Sequence, residues 1–144
     1  MPLMKLCICI DFDPDFFYLI QTYAERSGLG AVHVQGGLDI LAVINREQPA
    51  VICLDGDKPA RPTAWHLLSR LKSDPAINHI PVIFFSWLDE EERSIQEGAD
   101  VFVQKAVMYA DFIDALAMAG VLDESAKPKK KAKEEGGGSA FSQT

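Results

Sequence analysis

Four polar residues come at or directly after the ends of apolar segments, and their types suit the transfer of a phosphoryl group. Asp11 follows LCICI, Asp55 follows AVICL, Ser86 ends PVIFFS and Lys105 follows VFVQ. Carboxylate oxygens are ligands that Mg²⁺ prefers, and an ammonium and a hydroxyl can hold phosphoryl oxygens. An aspartate can act as the nucleophile, because phosphoryl transfer depends mainly on positioning and charge neutralisation. The four residues predict a phosphoryl-acceptor site if the fold brings them together.

The apolar segments alternate with segments of helical spacing, which predicts an α/β fold. The expected strands are Leu6–Ile10, Ala31–Gln35, Ala50–Leu54, Pro81–Ser86 and Val101–Gln104. The expected helices are one that starts at Asp13-Pro14 and stops at Gly28, then Leu38–Arg46, Ala64–Lys72, Leu88–Glu97 and Tyr109–Ala119. This alternation favours a doubly wound parallel sheet with helices on both faces. Ligand sites of such sheets form at the carboxyl ends of the strands, where the four polar residues are expected.

The totals are typical of one soluble domain. Of 144 residues, 48% are hydrophobic and 24% are charged. No apolar segment approaches the roughly 18 residues that span a bilayer, and the N-terminus lacks the pattern of a secretory signal. Three cysteines, Cys7, Cys9 and Cys53, lie in strand-like segments and are expected to be reduced core residues. We therefore expect a cytoplasmic protein that does not bind membranes.

The charge is unevenly distributed along the chain. The net charge is −7, but residues 127–135 carry a local charge of +3, which leaves −10 for the rest. An acidic body without a basic patch is not expected to bind nucleic acid. The apolar periodicity ends after Gly120, so residues 1–122 are predicted to form the domain. Residues 123–144 are predicted to be a disordered tail rich in lysine and glycine.

Four sequence segments together resemble the signature blocks of response-regulator receiver domains, the CheY-like family. They are IDFDPDF, VICLDGDKP, IPVIFFSW and GADVFVQK, in the family's order and at nearly its spacing, within about residues 4–120. The resemblance implies a flavodoxin-like five-stranded parallel sheet of order 2-1-3-4-5. It also implies a phosphoacceptor of two-component signalling, whose chemistry is at most self-catalysed phosphoryl transfer and dephosphorylation rather than that of an enzyme.

The same resemblance assigns a role to each site residue. Asp55 is the phosphoacceptor, Ser86 the switch hydroxyl and Lys105 the phosphate-binding lysine. Mg²⁺ is expected at Asp11, Asp55 and the backbone carbonyl of Asp57.

The resemblance also implies the partners. They are a histidine kinase or phosphotransfer protein and a downstream protein target. The face of the fourth and fifth helices would contact the target, and it could also form a homodimer. The chain would be a single-domain regulator or a piece of a longer protein.

The sequence departs from the family's pattern at several positions of the site. Phe12 stands where the family has a second acidic residue, and the carboxylates of Asp13 or Asp57 are the candidates to compensate for it. Trp87 replaces a small residue beside the switch hydroxyl, and Ala106 replaces the proline after Lys105, so no cis-proline bond is expected there. These departures keep open a pseudo-receiver, a module that binds proteins without phosphorylation. A flavodoxin-like cofactor binder is disfavoured because DFDPD would repel a phosphate.

Overall fold

A computed structural model describes residues 5–10, 12–35, 39–57 and 63–122. The described chain forms a five-stranded parallel sheet with strand order β2-β1-β3-β4-β5. This confirms the fold class and the strand order that the sequence predicts. The predicted tail lies outside the described residues, as do Asp11, Gly36 and Gly37. No described helix is long and apolar enough to cross a lipid bilayer.

Ten elements alternate along the chain, and their bounds match the predicted ones within a few residues. The strands are β1 (Leu6–Ile10), β2 (Gly30–Val34), β3 (Val51–Asp55), β4 (Val82–Ser86) and β5 (Val101–Gln104). The helices are α1 (Pro14–Arg26), α2 (Ile40–Glu47), α3 (Ala64–Ser73), α4 (Glu91–Gln96) and α5 (Tyr109–Met118). The largest difference is at α4, which begins three residues later than predicted.

The two faces of the sheet are covered by two separate hydrophobic cores. One core joins the inward side chains of α1 and α5 to residues such as Cys9, Cys53 and Phe85. The other joins α2 and α3 to Ile8, Leu54 and Phe84 on the opposite face. Side chains alternate between the two faces along each strand, and a strand that is covered on both faces must be apolar throughout. The central strands β3 and β4 are buried along their whole length, so their carboxyl ends are held rigidly.

The start of α1 shows how the sequence fixes a helix beside the strand ends. Asp13 is the N-cap, and its side-chain oxygen accepts a hydrogen bond from the N–H of Phe16 at 2.9 Å. Pro14 occupies the first helical turn, where its missing N–H costs nothing. The cap fixes the start of α1, whose Phe16 stacks on Phe12 shortly after β1.

The three cysteines lie closer together than their spacing in sequence indicates. All three are buried free thiols, and Cys53 Sγ lies 3.4 Å from Cys7 Sγ, which is itself 3.9 Å from Cys9 Sγ. The register of β3 against β1 brings Cys53 to the other two. Among the described residues this cluster of possible metal ligands contains only the three thiols. Buried in an apolar core, they pack as small hydrophobic side chains.

The burial of Phe12 in the core can be tested by mutation. It is only 1% exposed, and its ring lies 4.7 Å from that of Phe16 and 6.2 Å from that of Phe85. Phe12→Ala should lower the free energy of unfolding by about 3–5 kcal/mol, because it removes a buried ring and leaves a cavity. Urea denaturation would measure the change. Tyr18→Ala, at a residue that is 71% exposed, is the matched control and should cost less than about 0.5 kcal/mol. Equal effects at the two positions would contradict the placement of Phe12 in the core.

Candidate functional site

The carboxyl ends of three adjacent strands bring the predicted site residues together. Asp55 is the last residue of β3, Ser86 is the last of β4, and Lys105 directly follows β5. Asp55 registers against Phe85, and the N–H of Lys105 donates to the carbonyl of Ser86 at 2.9 Å. Pairing between strands therefore fixes the relative positions of all three side chains. Asp11, the fourth predicted residue, lies outside the described residues.

The ammonium of Lys105 lies between two carboxylates. Its Nζ is 3.1 Å from both oxygens of Asp55 and 3.0 Å from Oδ2 of Asp57. The side chains of Lys105, Asp55 and Asp57 are 6%, 2% and 24% exposed. Charges this well buried persist only when they are paired and hydrogen-bonded. One lysine thus neutralises part of the charge of two acidic groups.

The carboxylate of Asp57 is the centre of a set of hydrogen bonds at the ends of β4 and β5. It accepts hydrogen bonds from Ser86 Oγ at 2.8 Å and from the N–H of Trp87 at 3.0 and 3.2 Å. Together with Lys105, these donors surround the carboxylate with a hydroxyl, an amide and an ammonium. The sequence predicted a role for the backbone carbonyl of Asp57 and considered its carboxylate only as a substitute metal ligand. A second aspartate two residues after the acceptor was the available signal.

These contacts change the acidity of Asp57. Burial by itself would raise the pKa of the carboxyl group, but hydrogen bonds from Ser86, Lys105 and the Trp87 N–H, with the charge of Lys105, outweigh it and lower the pKa. A lowered pKa in the folded state means that the ionised Asp57 stabilises the fold above about pH 4, and that this contribution is lost on acidification. At neutral pH, the site therefore holds Asp57 as an anion.

Gly56 allows Asp57 to fold back into the site. A Cβ at this position would overlap the ring of Phe84, and the N–H of Gly56 donates to the carbonyl of Phe85 at 2.8 Å. The N–H of Asp57 then donates to Oδ1 of Asp55 at 2.9 Å. The sequence Asp-Gly-Asp thus turns tightly over Phe84, which places both carboxylates within reach of Lys105.

An aromatic layer lies beneath Lys105. Its Nζ is 4.1 Å from the ring centre of Phe16, a distance at which a cation is attracted to the face of the ring. The Phe16 ring stacks on Phe12 and meets Phe85 edge-on, with centroids 5.4 Å apart. Phe12 therefore supports the lysine indirectly from the core, although it stands at the position where the family has an acidic residue.

The segment after β4 explains the late start of α4. The N–H of Trp87 donates to Asp57, and the N–H of Leu88 donates to Ser86 Oγ at 3.1 Å. These residues hold the site, so their backbone is not helical and α4 begins only at Glu91. Trp87 is 60% exposed, and it contacts the site carboxylate through its N–H.

Asp13 and Ala106 are two further positions that the sequence singled out. Asp13 uses one carboxylate oxygen as the N-cap of α1, so its proposed role as a substitute metal ligand stays a prediction. The peptide bond between Lys105 and Ala106 is cis, although Ala106 is not a proline.

Phe102 is half-buried and stacks on Phe84, with ring centroids 6.4 Å apart. Trp65 also stacks on Phe84, with ring centroids 4.6 Å apart, and the Arg93 guanidinium lies 3.9 Å from the centre of the Trp65 ring. These contacts are packing contacts. They also connect α3, α4 and β5 next to the site.

The donors of the site suit anionic oxygens, and its carboxylates suit a hard cation. Ser86 Oγ, the Trp87 N–H and Lys105 Nζ point at a single carboxylate, which is the arrangement of an anion pocket. The oxygens of Asp55 and the carbonyl of Asp57 are of the type that binds Mg²⁺. Phe12 offers no ligand atom, so it supplies no carboxylate at the position where the family's pattern has one.

The fold is similar to that of solved receiver domains. No family model matches the chain, and no curated protein matches it. The bacteriophytochrome response regulator RtBRR is 26% identical, with a TM-score of 0.69 over 83% of this chain and 80% of that one. The chemotaxis response regulator CheY4 of Vibrio cholerae is 14% identical, with a TM-score of 0.70 over 81% of this chain and 99% of that one. A signal receiver domain from Bacteroides fragilis is 21% identical, with a TM-score of 0.69 over 81% of this chain and 98% of that one.

These similarities identify the architecture. The described chain has the CheY-like fold of response-regulator receiver domains. At identities of 14–26%, they identify the fold rather than the chemistry of individual side chains.

The buried ion pairs predict that loss of Lys105 lowers the free energy of unfolding. Lys105→Met should lower the free energy of unfolding at neutral pH by about 3–5 kcal/mol, because it leaves two carboxylates without their cation. The deficit should shrink below about pH 4, where Asp57, with its lowered pKa, takes up a proton. Arg46→Gln, which breaks the exposed pair with Glu47, is the control and should cost less than about 1 kcal/mol. Denaturant titrations of both variants at several pH values would test this. A deficit at Lys105 that does not depend on pH would contradict the charge argument.

Proposed function

We propose that the chain is a phosphoacceptor receiver of two-component signalling, with Asp55 as the acceptor. The observation that carries this proposal is the contact of Lys105 Nζ with both oxygens of Asp55, next to the buried hydroxyl of Ser86 on the neighbouring strand. A lysine that holds the nucleophile also neutralises charge as the phosphoryl group arrives. The function is signalling through a modified side chain rather than turnover of a substrate.

The proposed step moves one phosphoryl group. An Asp55 carboxylate oxygen forms a bond to phosphorus, while the N–P bond of a phosphohistidine on a kinase or phosphotransfer protein breaks and the imidazole leaves. Ser86 Oγ, the Trp87 N–H and Lys105 Nζ are the donors that would bind the oxygens of the transferred group. Because the strand ends fix these donors, they need little reorganisation to bind the transferred group. The Asp57 carboxylate, which they bind now, would have to be displaced.

A divalent cation would complete the charge balance. The Asp55 carboxylate, the Asp57 carbonyl and the Asp11 carboxylate would hold Mg²⁺, which neutralises charge on the phosphoryl oxygens when bound. The core position of Phe12 supports weak binding of the metal, because no carboxylate stands there.

The partner surface would lie at the edge of the sheet formed by β5. A groove between β5 and α5 is lined by Phe102, Gln104, Asp114 and Met118, among other residues. Met108 and Met118 are exposed at the two ends of α5. A downstream protein, or a second copy of the chain, would bind this face, and the binding would depend on the position of the Ser86 hydroxyl. The acidic body supports a protein partner rather than nucleic acid, and the expected location is the cytoplasm.

A phosphorylation-independent binding module is the second candidate, and one specific observation favours it. The carboxylate of Asp57 already occupies the donors that a phosphoryl group would use. A chain whose pocket is permanently filled in this way would keep the receiver fold and present one fixed surface. The two candidates differ in a single measurable property, which is whether Asp55 accepts a phosphoryl group.

Incubation with acetyl phosphate and Mg²⁺ tests this property directly. We expect the intact mass to increase by one phosphoryl group, and we expect Asp55→Asn to abolish the increase because it removes the nucleophile. Asp89→Asn removes an exposed carboxylate beyond the site and should leave labelling unchanged. Labelling that survives in Asp55→Asn would place the acceptor elsewhere. An unchanged mass of the wild-type protein at saturating donor and metal would favour the binding module.

A further inference from the structure

The carboxylate of Asp57 has the contacts of a bound ligand rather than those of an ordinary surface acid. It accepts hydrogen bonds from one hydroxyl, one amide N–H and one ammonium, which come from three different residues at the ends of β4 and β5. Both of its oxygens are used: Oδ1 binds Ser86 and Oδ2 binds Lys105, while the Trp87 N–H lies within 3.2 Å of each. Among the described residues, Oδ1 of Asp57 is the atom that accepts the proton of the Ser86 hydroxyl.

The donors would be poorly satisfied without this anion. The Ser86 hydroxyl is buried, and its proton needs an acceptor because an unpaired buried hydroxyl is costly. The same oxygen accepts the Leu88 N–H, which ties the direction of the hydroxyl to the backbone ahead of α4. The charge on Asp57 therefore orders the whole segment from Ser86 to Leu88.

We infer that Asp57 is an internal anion that fills the phosphoryl pocket of the unmodified protein and holds Ser86 in its inward position. This inference rests on the proposed function and describes its regulation. A phosphoryl group on Asp55 would need the three donors that Asp57 now uses, and its negative charge would repel the Asp57 carboxylate. Asp57 must leave the pocket before the group can enter.

Two consequences follow for signalling. Before any phosphorylation, the Asp57 carboxylate already binds Ser86 and holds the neighbouring surface in one arrangement. A partner can therefore recognise the unmodified protein. Phosphorylation is also slowed, because each transfer has to displace a carboxylate from Lys105. The unmodified protein would therefore signal at a basal level, and its phosphorylation would be slow.

The test measures hydrogen exchange at the Trp87 amide and the rate of labelling by acetyl phosphate in the full chain. Asp57→Ala should speed exchange at the Trp87 amide by at least about tenfold, because its acceptor is gone. The labelling rate should rise by at least about tenfold, because the pocket is open. Adding beryllofluoride and Mg²⁺, as a phosphoryl analogue, should restore slow exchange in Asp57→Ala, since a new anion then fills the pocket.

Two further variants control the experiment. Asp57→Asn keeps an oxygen for Ser86 but removes the charge that Lys105 binds, so both effects should be intermediate; it also carries the test if Asp57→Ala does not fold. Asp89→Asn removes one exposed negative charge near the same segment and should change neither quantity. Far-ultraviolet circular dichroism would verify that each variant is folded.

The outcomes separate this inference from the proposed function. Fast Trp87 exchange in Asp57→Ala with no labelling of any variant supports the internal anion and overturns the phosphoacceptor function. Unchanged exchange in Asp57→Ala overturns the internal anion, and labelling that continues in that case leaves the phosphoacceptor function standing. Equal labelling rates in the wild-type protein and Asp57→Ala would also overturn the inference, because Asp57 would then not obstruct the pocket.

Discussion

The site depends on one buried ammonium that two carboxylates share. Removing charges from water costs several kcal/mol each, so Asp55 and Lys105 remain charged in the interior only because they lie about 3 Å apart. Asp57 joins them from a less buried position and adds the second negative charge. The positions of the three charges come from the carboxyl ends of β3 and β5, so the parallel sheet and the site cannot be separated. A change that moves either strand end would break the charge pairing.

The aromatic layer beneath Lys105 is the second constraint on the site. Phe12 stands where a further carboxylate would bring another negative charge, and its ring instead packs on Phe16 and Phe85 in the core. Phe16 presents its face to Lys105, so the layer stabilises the cation from below. Among the described residues, the Lys105 ammonium is the cation that the site carboxylates bind.

Much of this architecture could be predicted from the sequence because it follows from local patterns. The bounds of β1 and β5 and the Asp13-Pro14 start of α1 follow from apolar runs and capping residues, and they are confirmed. The convergence of Asp55, Ser86 and Lys105 follows from the rule that parallel strands end at one edge.

The remaining features depend on contacts between distant residues. The role of the Asp57 carboxylate requires that Gly56 turns over Phe84 and that Ser86 and Trp87 face it, which no spacing along the chain reveals. The late start of α4 has the same cause, because its expected first turn is bonded to the site. The contact of Cys53 with Cys7 depends on the register of two strands.

The most direct measurement is a crystal structure of the protein with Mg²⁺ and beryllofluoride, compared with one of the free protein. The account predicts that the analogue binds to Asp55 and contacts Ser86 Oγ, the Trp87 N–H and Lys105 Nζ. It also predicts that the Asp57 carboxylate has moved away from all three donors, whereas in the free protein it binds them. A structure in which the analogue binds Asp55 while Asp57 keeps its contacts would contradict the account, because two anions would then share one set of donors.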